Sequence, residues 1–227
     1  MPIFHALDWF AVATFVLGWL FYTWLVDFSP WRDRTLTAAM DVQRRLWMET
    51  MLRRDLRMID TSIIAGLQNG TAFFASTSLL AIGAAFALLT TSDQVLGVVQ
   101  DIPIEVNTSR NVWEVKALGL LAIYAYAFFK FGWAYRLFNY TSVLMGATPP
   151  ASERDSDEAR LAIERATRMN ILAGHHFSLG QRAFFFSVGF LGWFASAWAF
   201  LGITLIVVAA LCRRQFAFSA IEPLRPA

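Results

Sequence analysis

Residues 61–92 read TSIIAGLQNGTAFFASTSLLAIGAAFALLTTS and contain no charged side chain. A helix of about 20 mostly apolar residues is long enough to cross the hydrocarbon core of a bilayer. A membrane span is therefore predicted inside this stretch, near residues 70–89. This one segment places the chain among helical membrane proteins.

Three further segments have a similar composition, near residues 9–26, 115–138 and 183–212. The last run is longer than a bilayer core, so a helix along it must tilt, kink or begin at the membrane surface. The sequence predicts an all-α membrane protein with four transmembrane helices in a single domain, residues 1–227.

The composition supports the same class of protein. Hydrophobic residues make up 57% of the chain and charged residues 16%, whereas soluble proteins carry about 25% charged residues. The net charge of +2 implies no polyanionic partner, and no nucleic-acid binding is predicted. The lone Cys212 excludes an intrachain disulfide framework. Residues 1–7 lack Lys and Arg, so the first apolar stretch is expected to stay in the mature protein.

Basic residues predict the orientation of the spans, because cytoplasmic loops are enriched in Lys and Arg. The first loop carries seven basic residues and the third loop five, against two in the second loop. A multi-pass protein of the cell (inner) membrane with both termini outside is therefore predicted. Two basic residues near the C-terminus, Arg213 and Arg214, argue against that orientation.

Two helices are predicted in the cytoplasmic loops. The first, near residues 35–60, is amphipathic and arginine-rich, and it either lies on the inner leaflet among anionic lipids or continues into the second span. Its membrane-surface residues are Arg44, Arg45, Arg53, Arg54 and Arg57. The second helix, near residues 156–173, starts after Pro149 and Pro150, with Ser152 or Ser156 as its cap, and stops at Gly174.

A seam of small and polar residues recurs every seven positions along the second span. Small residues allow helix backbones to approach closely in lipid, and Ser or Asn can hydrogen-bond across the contact. The seam is interpreted as a packing surface within or between subunits; the alternative is the wall of a polar pore. Its residues are Ser62, Asn69, Ser76, Gly83 and Thr90, with Gly66 and Gly70 forming a G-x-x-x-G pair beside it.

The third span contains two cations, Lys130 and Arg136. Ionisable groups at membrane depth are costly, and they usually face a bundle interior or water. Arg136 lies near the inner surface and can extend towards it. Lys130 lies deeper; it either extends to the surface, pairs with an acid, contacts an anion or lines an aqueous path. The acids on the same side are Asp27, Glu49, Asp55 and Asp60.

The sequence offers no catalytic motif and no metal-binding motif. His175 and His176 are adjacent, so they point about 100° apart on a helix and cannot hold one metal as an i,i+4 pair would. His5 is expected on the opposite side of the membrane. No cofactor and no catalytic residue are predicted, and a metal or haem site shared between subunits is left open.

Four stretches resemble the bacterial and plant membrane family called domain of unknown function 599. They begin at Arg44-Arg45-Leu-Trp47, Gln68-Asn69-Gly70, Lys130-Phe-Gly-Trp133 and Gly180-Gln-Arg182. The resemblance implies a four-span domain and supplies no activity, because the family is uncharacterised. It makes the polar residues of these stretches the first candidates for mutation.

Two classes of function follow. The first is a scaffold, accessory or lipid-binding subunit that self-associates or joins a larger membrane complex. The alternative is a homo-oligomeric channel or transporter for a small solute, such as an anion. The residues expected to line its path, or to form a polar network, are Asn69, Ser76, Lys130, Arg136, Asn139 and Arg182. A lipid-modifying enzyme is a third, weaker possibility.

Overall fold

The computed structural model describes residues 4–90 and 109–217. Within these ranges the chain forms six α-helices and two short 3-10 turns, with no strand. The helices are α1 (Ala6–Asp27), α2 (Leu36–Leu52), α3 (Met58–Thr90), α4 (Arg110–Gly146), α5 (Asp157–Ala195) and α6 (Ala197–Phe216). The 3-10 turns, Arg32–Arg34 and Ala151–Glu153, precede α2 and α5.

Four of these helices, α1, α3, α4 and α6, are long and apolar enough to cross a membrane. The all-α fold class with four such helices is therefore confirmed. The spans expected near residues 9–26, 70–89 and 115–138 lie inside α1, α3 and α4. Pro149 and Pro150 follow the end of α4 at Gly146, as expected for residues that cannot continue a helix.

The fourth span expected over residues 183–212 is corrected, because the chain turns at Ser196 and forms two helices there. Ser196 is extended, and its hydroxyl accepts a hydrogen bond from the Ala199 amide at 3.0 Å, which caps α6. The two helices pack closely, and a Cβ added at Gly192 would lie 3.0 Å from the Ala199 backbone. The uncharged run is thus a helical hairpin, and its great length needs no tilt or kink.

The separate helix expected over residues 156–173 is also corrected, because α5 continues from Asp157 to Ala195 without a break. The predicted cap is confirmed, since the Ser156 hydroxyl accepts from the Ala159 amide at 3.1 Å. Gly174 does not stop the helix. It lies beneath the Arg44 side chain, and a Cβ there would come 2.8 Å from the guanidinium.

The amphipathic helix expected over residues 35–60 is shorter and ends at Leu52. A separate helix, α3, starts at Met58, so α2 does not continue into the second span. The buried side chains of α2, Met48, Met51 and Leu52, pack against α3, α4 and α5. This part of its apolar face therefore contacts protein and is not available to lipid.

The bundle has two ends, and we name them by what lies there. At the hairpin end, the Trp193 indole donates to Asp8 at 2.7 Å. At the α2 end, Gln215 near the end of α6 donates to Thr37 on α2. Helices α1 and α6 run parallel, since Phe15 contacts Phe200 and Gly18 faces Val208.

The two ends of the described chain therefore lie at opposite ends of the bundle. A placement of both termini outside would need them at the same end, and that prediction assumed one helix over residues 183–212. The second helix of the hairpin adds one more pass along the bundle, which corrects that assumption.

Candidate functional site

A buried ion pair joins α1 to α5 near the α2 end. The Arg182 guanidinium donates to both oxygens of Asp27, at 2.6 and 2.8 Å, and the two side chains are only 5% and 8% exposed. The guanidinium also lies 5.4 Å from the centre of the Tyr22 ring. This planar, two-bond geometry is the strongest that an arginine forms with a carboxylate. Arg182 is thus engaged inside the subunit and does not line an open path.

A second buried acid, Asp60, joins α2 to the start of α3. Its side chain is fully buried and accepts from the Trp47 indole at 2.8 Å and from Arg54 at 2.6 Å. Both donors meet the same oxygen, and the other oxygen of Asp60 is buried without a hydrogen-bond partner in the described part of the chain. Arg54, expected to face the membrane surface, instead neutralises this acid.

Two more arginines of the predicted basic helix contact protein. Arg44 donates to Asn170 on α5, and its guanidinium lies 5.9 Å from the centre of the Phe138 ring. Arg57 donates to the carbonyls of Met145, Thr148 and Pro149 at the end of α4. A cation there neutralises the negative end of the helix dipole.

The remaining two arginines of that set, Arg45 and Arg53, are exposed. They line a cavity of about 830 Å³ between α2 and the start of α5, together with Arg154 and Arg160. Acids are interspersed among them, so the cavity has a mixed charge. Of the five arginines predicted for the membrane surface, these are the two without a side-chain hydrogen bond or an ion pair to another described residue.

The two cations of the third span differ in their surroundings. The Lys130 ammonium lies 5.2 Å from the centre of the Tyr126 ring, one turn nearer the hairpin end. It therefore points away from the α2 end, which corrects the idea that it extends to that surface. The exposed Arg136 donates to the Tyr140 hydroxyl at 2.6 Å.

None of the four candidate acids pairs with Lys130 within 4 Å among the described residues. Asp27 and Asp60 are already bound to Arg182 and Arg54. Lys130 is half-buried and contacts the Tyr126 ring. Since a cation at membrane depth is costly without a partner, this residue remains a candidate functional group.

The predicted seam of α3 faces outwards along its whole length. Ser62, Asn69, Ser76, Gly83 and Thr90 are all exposed, as are Gly66 and Gly70. A Cβ added at any of the three glycines would meet nothing within 4 Å. The opposite face, which includes Ile64, Thr71, Ser78 and Ala85, is buried, chiefly against α4. The seam therefore packs against no other described helix of the same subunit.

The hydroxyls on the two faces of α3 also differ in their hydrogen bonds. Thr71 and Ser78 donate to carbonyls one turn earlier, at 2.7 and 2.8 Å. Ser62, Asn69 and Ser76 have no side-chain hydrogen bond in the ranges that the structure describes. Three polar groups of the seam are thus left unsatisfied on the exposed side of a membrane helix.

The six residues predicted to line a path do not converge within one subunit. Asn69 and Ser76 are on the outer face of α3, and Arg182 is buried with Asp27. Asn139 on α4 accepts from Gln68 on α3 at 2.7 Å, so this pair fastens the two helices. Gln68 was not among the six residues predicted to line a path, although it stands beside Asn69 in the same family-like stretch.

The hairpin end carries a further polar contact that the sequence did not indicate. Lys116 on α4 is buried and donates to the carbonyl of Trp193 at 2.7 Å. Trp193 is near the end of α5, where a helix leaves its last carbonyls without internal partners. Lys116 falls at the start of the predicted third span, near residues 115–138, and its partner lies 77 positions away in the sequence.

The histidines form no metal site in the described parts of the chain, where no group of three His, Cys, Asp or Glu side chains is close enough to hold an ion. His175 and His176 lie side by side with ring centres 6.1 Å apart. Burial lowers the pKa of both imidazoles, and Lys130 acts in the same direction. Both are therefore held in the neutral form at physiological pH.

Comparison with known proteins gives one match. No curated protein and no solved structure is detectably similar to the chain. A family described as "Protein of unknown function, DUF599" matches residues 10–220. This range covers every described helix except the first residues of α1, and it includes the contacts described above apart from the one between Trp193 and Asp8. The chain therefore belongs to the DUF599 family.

Proposed function

We propose that the protein is a scaffold or accessory subunit of the cell membrane that assembles with a second copy of itself through the α3 seam. The observation that carries the proposal is the outward position of Ser62, Asn69 and Ser76 without hydrogen-bond partners. In the most apolar 18-residue stretch of α3, 11% of the residues are buried, whereas the corresponding fraction for α4 is 33%. It is the most exposed of the four candidate spans.

A second copy of α3 suits this surface for two physical reasons. Polar groups that face lipid lack the hydrogen bonds that water supplies, and a facing Asn or Ser can replace them. Gly66, Gly70 and Gly83 leave the backbone open, so two helices can approach closely. The seam repeats every seven residues, so the same surface on two subunits can face itself around a two-fold axis.

We further propose that the α2 end faces the cytoplasm and the hairpin end faces outwards. Outside α4, the basic residues of the described chain lie between Arg32 and Arg57, between Arg154 and Arg182, and at Arg213 and Arg214, all towards the α2 end of the bundle. Arg213 and Arg214, at the end of α6, then lie on the cytoplasmic side. This orientation follows the enrichment of basic residues on the inner side, and it accounts for the two residues that opposed the earlier assignment.

Disulfide cross-linking tests the assembly. In a Cys212→Ser background, we expect Ser76→Cys to give an oxidant-dependent dimer in native membranes. Ser78→Cys is the matched control, because it makes the same change on the buried face of α3. Ser62→Cys samples the seam two heptads away and should also cross-link. Failure of both seam variants, or equal cross-linking of Ser78→Cys, would contradict the proposal.

The second candidate function is transport of a small anion through such an assembly. The observation in its favour is Lys130, a half-buried cation with no carboxylate partner within 4 Å among the described residues. Flux measured in reconstituted vesicles should then fall in Lys130→Met and in Arg136→Gln. Unchanged flux in both variants, or no flux in the wild type, would exclude this function.

A further inference from the structure

A cavity of about 380 Å³ lies at the α2 end, between α2, α5 and α6. Its polar lining includes Asp41 and Arg44 from α2, Ser178 and Gln181 from α5, and Arg214 from α6. Met40 and Phe177 supply part of an apolar wall. Three separate helices thus direct polar groups, two of them cations, at one space.

Arg44 is the central cation of this cavity, and its charge is only partly compensated. It packs on the backbone of Gly174 and donates to Asn170, and no carboxylate lies within 4 Å among the described residues. Burial lowers the pKa of its guanidinium, which Asp41 only partly offsets. A buried guanidinium remains charged, and it is strongly stabilised when an anion is bound to it.

Arg214 brings a second guanidinium to the same space. It is exposed and lies 5.0 Å from the centre of the Phe185 ring, with no acid within 4 Å in the described ranges. Asp41 is the one acid in the lining. Burial raises the pKa of that carboxyl despite the opposing effect of Arg44, so it offsets the two cations less than a free aspartate would.

We infer that this cavity binds the phosphate of an anionic phospholipid from the leaflet at the α2 end of the bundle. Guanidinium groups bind phosphate through paired, charge-assisted hydrogen bonds. Ser178 and Gln181 form no side-chain hydrogen bond with any other described residue, so both can donate to the remaining phosphate oxygens. The exposed Met40 and Phe185 continue the site as an apolar surface for acyl chains.

The position and size of the cavity select a lipid headgroup over a soluble anion. It adjoins the last turn of α6, where a membrane helix reaches the headgroup region, and its volume suits a phosphate with its glycerol. The inference does not depend on the α3 assembly, because α3 contributes no residue to the cavity. It also holds whichever side of the membrane the α2 end faces.

Native mass spectrometry of the detergent-purified full chain tests the site, with phosphatidylglycerol and phosphatidylethanolamine of the same acyl chains. We expect the wild type to retain phosphatidylglycerol preferentially. Arg214→Gln should weaken that binding about tenfold, the usual effect of losing one charge-assisted hydrogen bond. Arg213→Gln is the matched control, because it removes the same charge from the neighbouring exposed residue and should bind as the wild type does.

Arg44→Gln and Arg45→Gln form a second matched pair, in which the first variant should lose binding and the second should keep it. Because Arg44 also packs inside the fold, Arg214→Gln decides the question if Arg44→Gln does not fold. Equal loss in Arg213→Gln and Arg214→Gln would overturn the site, as would equal retention of the two lipids. Inorganic phosphate binding as tightly as phosphatidylglycerol would show a free-anion site and overturn the lipid assignment.

Discussion

The bond between Arg182 and Asp27 illustrates how much of the fold depends on single polar contacts at the α2 end. Asp27 is the last residue of α1, and Arg182 lies just before the uncharged part of α5. The residues are 155 positions apart, so their contact exists only in the folded protein. Removal of one partner leaves the other charge buried, which is far more costly than the loss of an exposed pair.

We therefore predict that Asp27→Asn lowers the free energy of unfolding by about 3 kcal/mol or more. The exposed pair of Arg160 and Asp157 is the control, and Arg160→Gln should cost less than about 1 kcal/mol. Thermal unfolding in detergent measures both. If the two variants melt at the same temperature, the buried pair does not contribute as described.

His175 gives the protein a predicted dependence of stability on pH. Burial lowers the pKa of its imidazole; Arg182 and Lys130 act in the same direction, whereas Asp27 and Asp41 oppose it. The unfolded chain, whose histidine titrates near 6.5, binds the proton more readily than the folded protein. Stability therefore falls as the pH drops below about 6.5, because protonation favours the unfolded state.

The melting temperature of the wild type should accordingly decrease between pH 7.5 and 5.5. In His175→Gln the decrease should be smaller, and the remainder comes in part from His176, whose pKa burial also lowers. An identical pH profile for the variant and the wild type would show that His175 does not carry the effect.

Among the elements, the hairpin of α5 and α6 depends on close backbone approach. A Cβ added at Gly192 would lie 3.0 Å from the Ala199 backbone, and a Cβ added at Gly189 would lie 3.0 Å from the Thr204 hydroxyl. Backbone atoms cannot move aside as a flexible side chain can. A methyl group at Gly192 must therefore push the two helices apart.

We predict that Gly192→Ala destabilises the protein by about 1–3 kcal/mol, the usual cost of overpacking. Gly202→Ala, on the other helix of the hairpin, is the control, since a Cβ there meets nothing within 4 Å. That variant should be neutral or slightly stabilising because alanine favours the helix. Equal unfolding temperatures for the two alanine variants would contradict the close packing.

Local signals allowed some elements to be predicted and left others hidden. The start of α5 was predictable because a capping serine, Ser156, comes shortly after two prolines and directly before two acids, Asp157 and Glu158. Prolines, a serine cap and acids in the first turn are the signals that mark the start of a helix. The turn at Ser196 has no Gly or Pro beside it, and its sequence resembles a continuous span. The hairpin forms because Gly189 and Gly192 fit against α6. This contact between two helices cannot be predicted from a short stretch of sequence.

The face of α3 that is buried could not be predicted from its period. Small polar residues occur on both faces, with Ser62, Asn69 and Ser76 on one and Thr71 and Ser78 on the other. The position of α4 decides between them. Likewise, the arginines of the helix predicted over residues 35–60 were visible in the sequence, but the partners of Arg44, Arg54 and Arg57 are acceptors brought together by folding.

For the whole molecule, the proposed orientation predicts which residues face each side of the membrane. In a Cys212→Ser background, an impermeant maleimide applied to intact cells should label Ser109→Cys, at the hairpin end. Glu158→Cys, at the α2 end, should be labelled only after the cells are opened. Both positions are exposed, so access to reagent is not limited by the fold. The reverse pattern would invert the orientation.

The packing of α1 has a consequence for the order in which the protein is made. This helix precedes the other described helices in the chain, yet it packs chiefly on α6 and joins α5 through Asp27. Those two helices are the last of the described helices to be made. Until they are inserted, α1 lacks both partners while α3 and α4 can already pair with each other. A nascent chain that ends before α6 therefore lacks the main packing partner of α1, and the contacts with α5, such as the bond of Asp27 to Arg182, must hold that helix in the bundle.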